Sequence, residues 1–134
     1  MTARNAVPGR LFVFRTVRMM YQAARKGVSK EMLNVFCLCG RIAAMPTLKE
    51  TPGGIKMAEV PVAVQRPFAS AQGVYESDQI TLEVWRGLAE TICSIGSEGS
   101  WVTAKGRIAS RPYEKDGRTW NNYSFVVERL EVLN

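Results

Sequence analysis

Apolar and polar positions alternate, cluster and change period along this chain in an order that predicts several short strands and one helix. From Asn34 to Ile42 the residues Val35-Phe36-Cys37-Leu38-Cys39-Gly40-Arg41-Ile42 form a nearly continuous apolar run, as expected of a strand buried on both faces. Thr51-Pro52-Gly53-Gly54 is turn chemistry, because Pro fixes φ and Gly supplies positive φ. A second strand is expected from Ile55 to Val64. Pro61 removes one backbone donor within it, so that strand needs a free edge or a bulge there. Residues 69–77 are small and polar and read as a flexible loop. Ile80, Leu82 and Val84 then alternate with Thr81, Glu83 and Trp85, the period of a half-buried strand.

At Gly87 the period changes. Leu88, Ile92 and Ile95 fall at i, i+4 and i+7, one stripe of a short helix that Gly96 or Gly99 can end. Strand character returns from Trp101 to Arg111, with Val102, Ala104, Gly106 and Ile108 expected on one face. Asp116-Gly117 predicts a hairpin turn of the primed type, and Trp120 to Leu133 supplies the closing strand. The order strand, strand, strand, helix, strand, strand predicts an all-β fold. It is that of a five-stranded OB-fold barrel with one short helix between the third and fourth strands.

Charge changes this picture at the N-terminus. The chain of 134 residues carries a net +6. Seven of its basic side chains (Arg4, Arg10, Arg15, Arg18, Arg25, Lys26, Lys30) lie in residues 1–31, against Glu31 alone. Residues 32–134 hold 11 basic and 11 acidic side chains, so the basicity belongs to the leader. It says nothing about the affinity of residues 32–134 for a polyanion; only a local basic face can. Length fits one domain, with 1–31 a basic extension left outside the fold, as disordered chain or a start assigned too early, and 32–134 the domain.

Candidate chemistry is mostly exclusion. The chain has no histidine, which removes most hydrolase mechanisms and most metal sites. Cys37, Cys39 and Cys93 lack zinc-site spacing and read as reduced structural thiols. Pro52-Gly53-Gly54 lacks the Lys-Ser/Thr of a phosphate loop. No apolar run approaches the roughly 18 residues of a membrane-spanning helix. Neither an enzyme nor a cofactor or metal site is expected.

Several blocks stand in fixed order. They are Thr51-Pro52-Gly53-Gly54, Pro61-Val62-Ala63-Val64-Gln65-Arg66, Val84-Trp85-Arg86-Gly87-Leu88-Ala89-Glu90 and Gly99-Ser100-Trp101-Val102. Lys105-Gly106-Arg107-Ile108-Ala109-Ser110-Arg111-Pro112-Tyr113 follows, then Lys115-Asp116-Gly117-Arg118. From Met32 to Leu133 the chain thereby resembles the core domain of bacterial single-stranded DNA-binding proteins. The resemblance implies stacking rings at four places: Phe68, the position of Gln79, Trp85 and Tyr113. Gln79 offers no ring face, so weaker binding than in a four-aromatic member is expected. Each ring also admits a reading as core packing. Trp85 alternates away from Ile80, Leu82 and Val84, while Phe68 and Tyr113 lie beside Pro and charged residues. Trp120 is open between packing and supplementary stacking, and Trp101 suits core or a subunit contact better than DNA.

Cations are expected beside these rings to neutralise phosphates. Arg66 and Arg111, each two residues before a ring, come first. Arg41, Lys49, Lys56 and Arg86 come second; any one of the six also fits a merely solvated surface. The resemblance implies sequence-independent binding and protection of single-stranded DNA in replication, recombination and repair. It also implies a homotetramer whose dimers continue their sheets, in the bacterial cytoplasm at the nucleoid. Alternatives are a dimeric primosomal-type OB-fold protein of replication restart and an RNA-binding OB module.

Two departures bear on these expectations. Met45 precedes Pro46 where the family commonly has an acid. Nothing after Asn134 corresponds to the family's acidic tip with its terminal Phe, so recruitment of replication enzymes through such a tip is not expected. The leader admits three origins. Met32-Leu33-Asn34 is where the resembling proteins begin, and Arg25-Lys26-Gly27-Val28 could be encoded by ribosome-binding DNA, which points to a start placed too early. Otherwise it is an organellar transit peptide, Arg-rich and acid-poor, which would place the protein in the mitochondrial matrix. The third origin is a basic arm gripping phosphates, or a segment added for expression.

Overall fold

A computed structural model describes residues 8–27 and 32–133. The chain divides into two units, Met1–Asn34 and Val35–Asn134. In the first, Pro8–Arg25 form a helix, α1. Arg25 in its last turn opposes the negative end of the helix dipole. Val13, Phe14, Met19 and Tyr21 are exposed on it. The leader therefore carries an element for which its composition offered no pattern argument. Among the described residues no helix is long and apolar enough to cross a membrane.

In the second unit the strands are β1 (Phe36–Ile42), β2 (Thr47–Glu50), β3 (Lys56–Gln65), β4 (Ser77–Trp85), β5 (Trp101–Lys115) and β6 (Arg118–Leu133). A second helix, α2, spans Gly87–Ile95. The strands form one sheet of order β1-β5-β6-β4-β3-β2, and the end of β1 also pairs with β3 through Arg41↔Ala63 and Ile42↔Val62. The expected five-stranded barrel with its helix after the third strand is corrected: the chain makes a six-stranded sheet, and α2 lies between β4 and β5. The missing strand was β2. Thr47-Leu48-Lys49-Glu50 is exposed throughout and shows no alternation to read. The Thr51–Gly54 turn is the tip of the β2–β3 hairpin, closed by Gly54 N–H to Thr51 C=O at 2.8 Å.

Alternation decides what is buried. On β3 and β4 one face supplies Ala58, Val60, Val62, Leu82 and Val84, all 0% exposed. Ala89 and Ile92 of α2 join this core with Ile42 and Val102. The expected helix stripe is therefore shifted: Ile92 is buried, Ile95 is exposed, and Ala89 takes the inner position. β1 is likewise half-buried, not buried on both faces, because Cys37 and Cys39 point outward while Phe36, Gly40 and Ile42 point in. Pro61 sits where β3 exchanges one neighbour for another, between Glu59 paired with β2 and Val62 paired with β1. Ala43 N–H donates to the Pro61 carbonyl at 2.8 Å, continuing the β1 register, and the proline has no N–H to return the reciprocal bond.

The register shift between Lys105 and Gly106 leaves its extra residue, Glu128, on β6, so Val102, Ala104, Gly106 and Ile108 of β5 keep one face. Val102, Ala104 and Ala109 are buried, whereas Ile108 is partly exposed. Gly106 is required by close approach. A Cβ there would run into the Val126 carbonyl oxygen and come within 2.8 Å of the Phe36 ring.

Candidate nucleic-acid interface

Side chains alternate across a strand, so residues opposite buried ones share the outer face. On β4 that face carries Gln79, Thr81, Glu83 and Trp85, since Leu82 and Val84 point into the core. Trp85 stands opposite Met57, which stands opposite Lys49. Glu83 stands beside Val126 of β6, and Val126 is opposite Arg107 of β5. From Arg107 the same face continues along β5 through Ala109 and Arg111 to Tyr113. Tyr113 is paired directly with Trp120 and Lys115 with Arg118. Tyr113, Lys115, Asp116, Arg118 and Trp120 line one open depression on this hairpin.

The expected residues Trp85, Arg111, Tyr113 and Trp120 thus lie on one face. Glu83 ties two of them together. Its Oε1 accepts a hydrogen bond from Trp85 Nε1 at 2.7 Å and another from Arg111 Nη2 at 2.7 Å. The next residue, Arg86, takes φ 60°, a strained conformation for a side chain with a Cβ. Its N–H donates to the Lys56 carbonyl at 2.7 Å, and its own carbonyl accepts from the N–H groups of Ala89 and Glu90 in α2. These bonds hold the corner just after Trp85.

Phe68 is elsewhere in sequence, in the β3–β4 connection, and 63% exposed. The expected flexible loop is organised there by Ser70 N–H to Val74 C=O at 2.7 Å and Gly73 N–H to Ser70 C=O at 2.9 Å. Arg66 at its base donates to Asp78 through Nε and Nη2 and to Glu76 through Nη1. The Asp78 hydrogen bond and charge hold the Arg66 guanidinium above its ordinary range.

Lys49, Lys56 and Arg41 are also engaged. Lys49 pairs with Glu59 at 3.0 Å and Lys56 with Glu90 at 2.9 Å. Hydrogen bonding to Glu90, then its charge, raises the Lys56 ammonium above its usual value. Arg41 lies over the Trp101 ring, 4.7 Å from its centroid, a cation–π contact on the β1–β5 pair. Arg66, Arg111, Lys49 and Lys56 each face a carboxylate, which the balanced charge of residues 32–134 allowed but could not locate. Exposed pairs of this kind are weak and salt-screened, so phosphates can compete for the same cations.

Exposed rings also stand where no site was expected, at Tyr75 in the β3–β4 connection and Tyr123 in β6. Tyr123 shares strand parity with Phe125, which packs on Phe36, but lies farther along β6 and is exposed. Glu83 gave only the outward half of an alternation. No group of three or more possible metal-ligating side chains comes together among the described residues. The cysteines are free, Cys37 and Cys39 exposed and Cys93 half-buried.

A sheet whose outer face lines up rings with paired cations, and whose inner face is closed by a short helix, defines a binding domain. Residues 33–133 match the model of the single-strand binding protein family, and the chain belongs to that family. It is similar to the single-stranded DNA-binding protein of Oceanobacillus iheyensis, 42% identical over 103 residues, covering 76% of this chain and 64% of that protein. It is 39% identical over 102 residues to single-stranded DNA-binding protein 2 of Streptococcus agalactiae, covering 76% of this chain and 78% of the relative. A solved structure, the Plasmodium falciparum SSB complex with ssDNA, aligns with a TM-score of 0.66 at 19% identity. It covers 79% of this chain and 99% of that one, and shares the fold.

Proposed function

We propose that this chain binds single-stranded DNA without reading its sequence and protects exposed strands in replication, recombination and repair. The observation that carries this reading is the alignment of Trp85, Arg111, Tyr113 and Trp120 on one sheet face. Rings stack on bases of any identity, and cations neutralise the phosphates between them. Phe68, Trp85 and Tyr113 are the stacking rings, with Trp120 beside Tyr113. Arg66 and Arg111 are the first phosphate contacts, and Arg41, Lys49, Lys56 and Arg86 the second. Family membership and the names of the relatives support this role, which is binding and not catalysis.

The working form is a homo-oligomer, a homotetramer on the family pattern, in the cytoplasm. The free edge of β1 supports this. Among the described residues Phe36–Gly40 pair with β5 alone, which leaves their other edge to a second copy. The test is a titration of the full chain with oligo-dT, followed by tryptophan fluorescence, with duplex DNA and oligo-U as controls. Strong quenching by oligo-dT, little by duplex and less by oligo-U is expected, weakening as salt rises. Equal response to duplex, or none to oligo-dT, would overturn the reading.

A further inference from the structure

We infer that Glu83 is a positioning residue for the binding face, holding Trp85 and Arg111 through one carboxylate oxygen until a phosphate takes Arg111 from it. This rests on the proposed binding function. The geometry is specific. Glu83 lies between buried Leu82 and Val84, and its side chain is only 16% exposed, whereas that of Arg111 is 53% exposed. Both donors reach the same Oε1, each at 2.7 Å. A charge-assisted bond to the indole N–H fixes the turn of the Trp85 ring about its axis, so less freedom is lost when a base stacks on it.

The placement of this carboxylate has no packing logic of its own. Glu83 stands directly opposite Glu59, and like charges so placed repel. Glu59 is compensated by Lys49 and Glu83 by Arg111, from a strand 28 residues away in sequence. An outward Val or Thr would avoid the repulsion. A carboxylate here is explained by what it holds. It also acts as a stand-in for phosphate: Arg111 is oriented and neutralised in the free protein, and a strand must exchange one anion for another.

Variants of the full chain at Glu83, Trp85 and Arg111 separate the two roles. Glu83→Gln keeps an oxygen for the indole N–H and removes the charge. Glu83→Leu removes both. Trp85→Phe identifies the Trp85 indole resonance in an amide–proton NMR spectrum. In Glu83→Gln the indole resonance stays near its wild-type position, oligo-dT binds about fivefold tighter at low salt, and the salt slope steepens by about 0.7. In Glu83→Leu the slope steepens equally, while the indole resonance moves toward the solvent-exposed position. Adding Arg111→Ala abolishes the slope change of Glu83→Gln.

A wild-type salt slope in Glu83→Gln, or a change that survives Arg111→Ala, would overturn the role toward Arg111. An unmoved indole in Glu83→Leu would overturn the role toward Trp85. If Glu83→Leu does not fold, Glu83→Gln with and without Arg111→Ala still decides the charge role, and the indole shift on Arg111→Ala alone decides whether the shared oxygen couples the two donors. Wild-type protein that ignores oligo-dT would refute the proposed function instead, with the indole readout in the free protein unaffected.

Discussion

The β5–β6 ladder contains two regions built on one continuous backbone pairing, and they treat their side chains in opposite ways. At its root, Val102, Ala104, Ala109 and Val127 are buried, at 0, 5, 9 and 7% exposure. At its tip, from Ser110–Lys115 across to Arg118–Tyr123, the rings Tyr113, Trp120 and Tyr123 are 43, 48 and 64% exposed. The register runs unbroken from Gly106↔Val127 to Lys115↔Arg118, so hydrogen bonding does not separate the regions. What separates them is the presence of neighbours. β1 pairs β5 only as far as Gly106, and β4 meets β6 only at Phe125 and Val126. Beyond those residues the ladder is a two-stranded ribbon. Such a ribbon is marginal alone and has no core to receive a ring. The root supplies the stability, and the tip can expose aromatic surface because the root anchors it.

The largest effect that sharpens this contrast is expected from Gly106→Val. The new branch meets the Val126 carbonyl and the Phe36 ring, backbone on one side and core on the other. A loss of about 3 kcal/mol of stability is expected, the upper end for overpacking, measured as a lower urea midpoint. Next come Tyr113→Ala and Trp120→Ala at the tip. Each should weaken oligo-dT binding by about 2 kcal/mol, or ~30-fold, with the urea midpoint unchanged to within about 0.5 kcal/mol. A tip variant that unfolds the protein, or a root variant that leaves stability intact, would break the division.

The division itself was only partly legible from residues. Alternation of Ile80, Leu82 and Val84 with Glu83 and Trp85 placed the inner and outer faces of β4 correctly. The Asp116-Gly117 turn was read from its chemistry and stands at φ 53° and 73°. The span of α2, Gly87–Ile95, followed from the change of period. By contrast β2 had no pattern, because all four of its residues are exposed and it is held by pairing alone. Ile108 keeps the face of Gly106, as a period of two placed it, yet is 39% exposed because β1 no longer pairs with β5 beyond Gly106. Candidate site residues were named from rings and cations near each other in sequence. Their carboxylate partners lie 12 residues away for Arg66 and 28 for Arg111, distances that only strand pairing closes. Local pattern reports burial well and reports ion pairs across strands hardly at all.

A smaller effect tests whether the tip opens by itself. Gly117 takes φ 73°, where an added Cβ is strained although it meets no atom within 4 Å. Gly117→Ala should therefore cost about 1 kcal/mol from backbone strain alone. If root and tip are separable, the cost falls on local opening of the ribbon. Amide exchange at Tyr113 and Trp120 should speed up about fivefold, while exchange at Val102 and Ala104 keeps its wild-type rate. Equal acceleration in both regions would mean that the ladder opens as one unit.

The smallest perturbation reads the outer face of the root without altering it. Cys37 and Cys39 stand opposite Lys105 and Thr103 of β5 and are exposed, whereas Cys93 sits half-buried on α2. Burial pushes the Cys93 thiol above its ordinary value, so less of it is thiolate at pH 8. In dilute protein a thiol reagent should therefore modify Cys37 and Cys39 first and Cys93 last, resolved by mass spectrometry of the digested chain. Raising the protein concentration should slow the first two alone if a second copy pairs along β1, because it then lies beside those two side chains. Protection of Cys37 and Cys39 with Tyr113 and Trp120 still accessible would give the root a second task, that of an interface, and leave the tip as the part free to meet a strand.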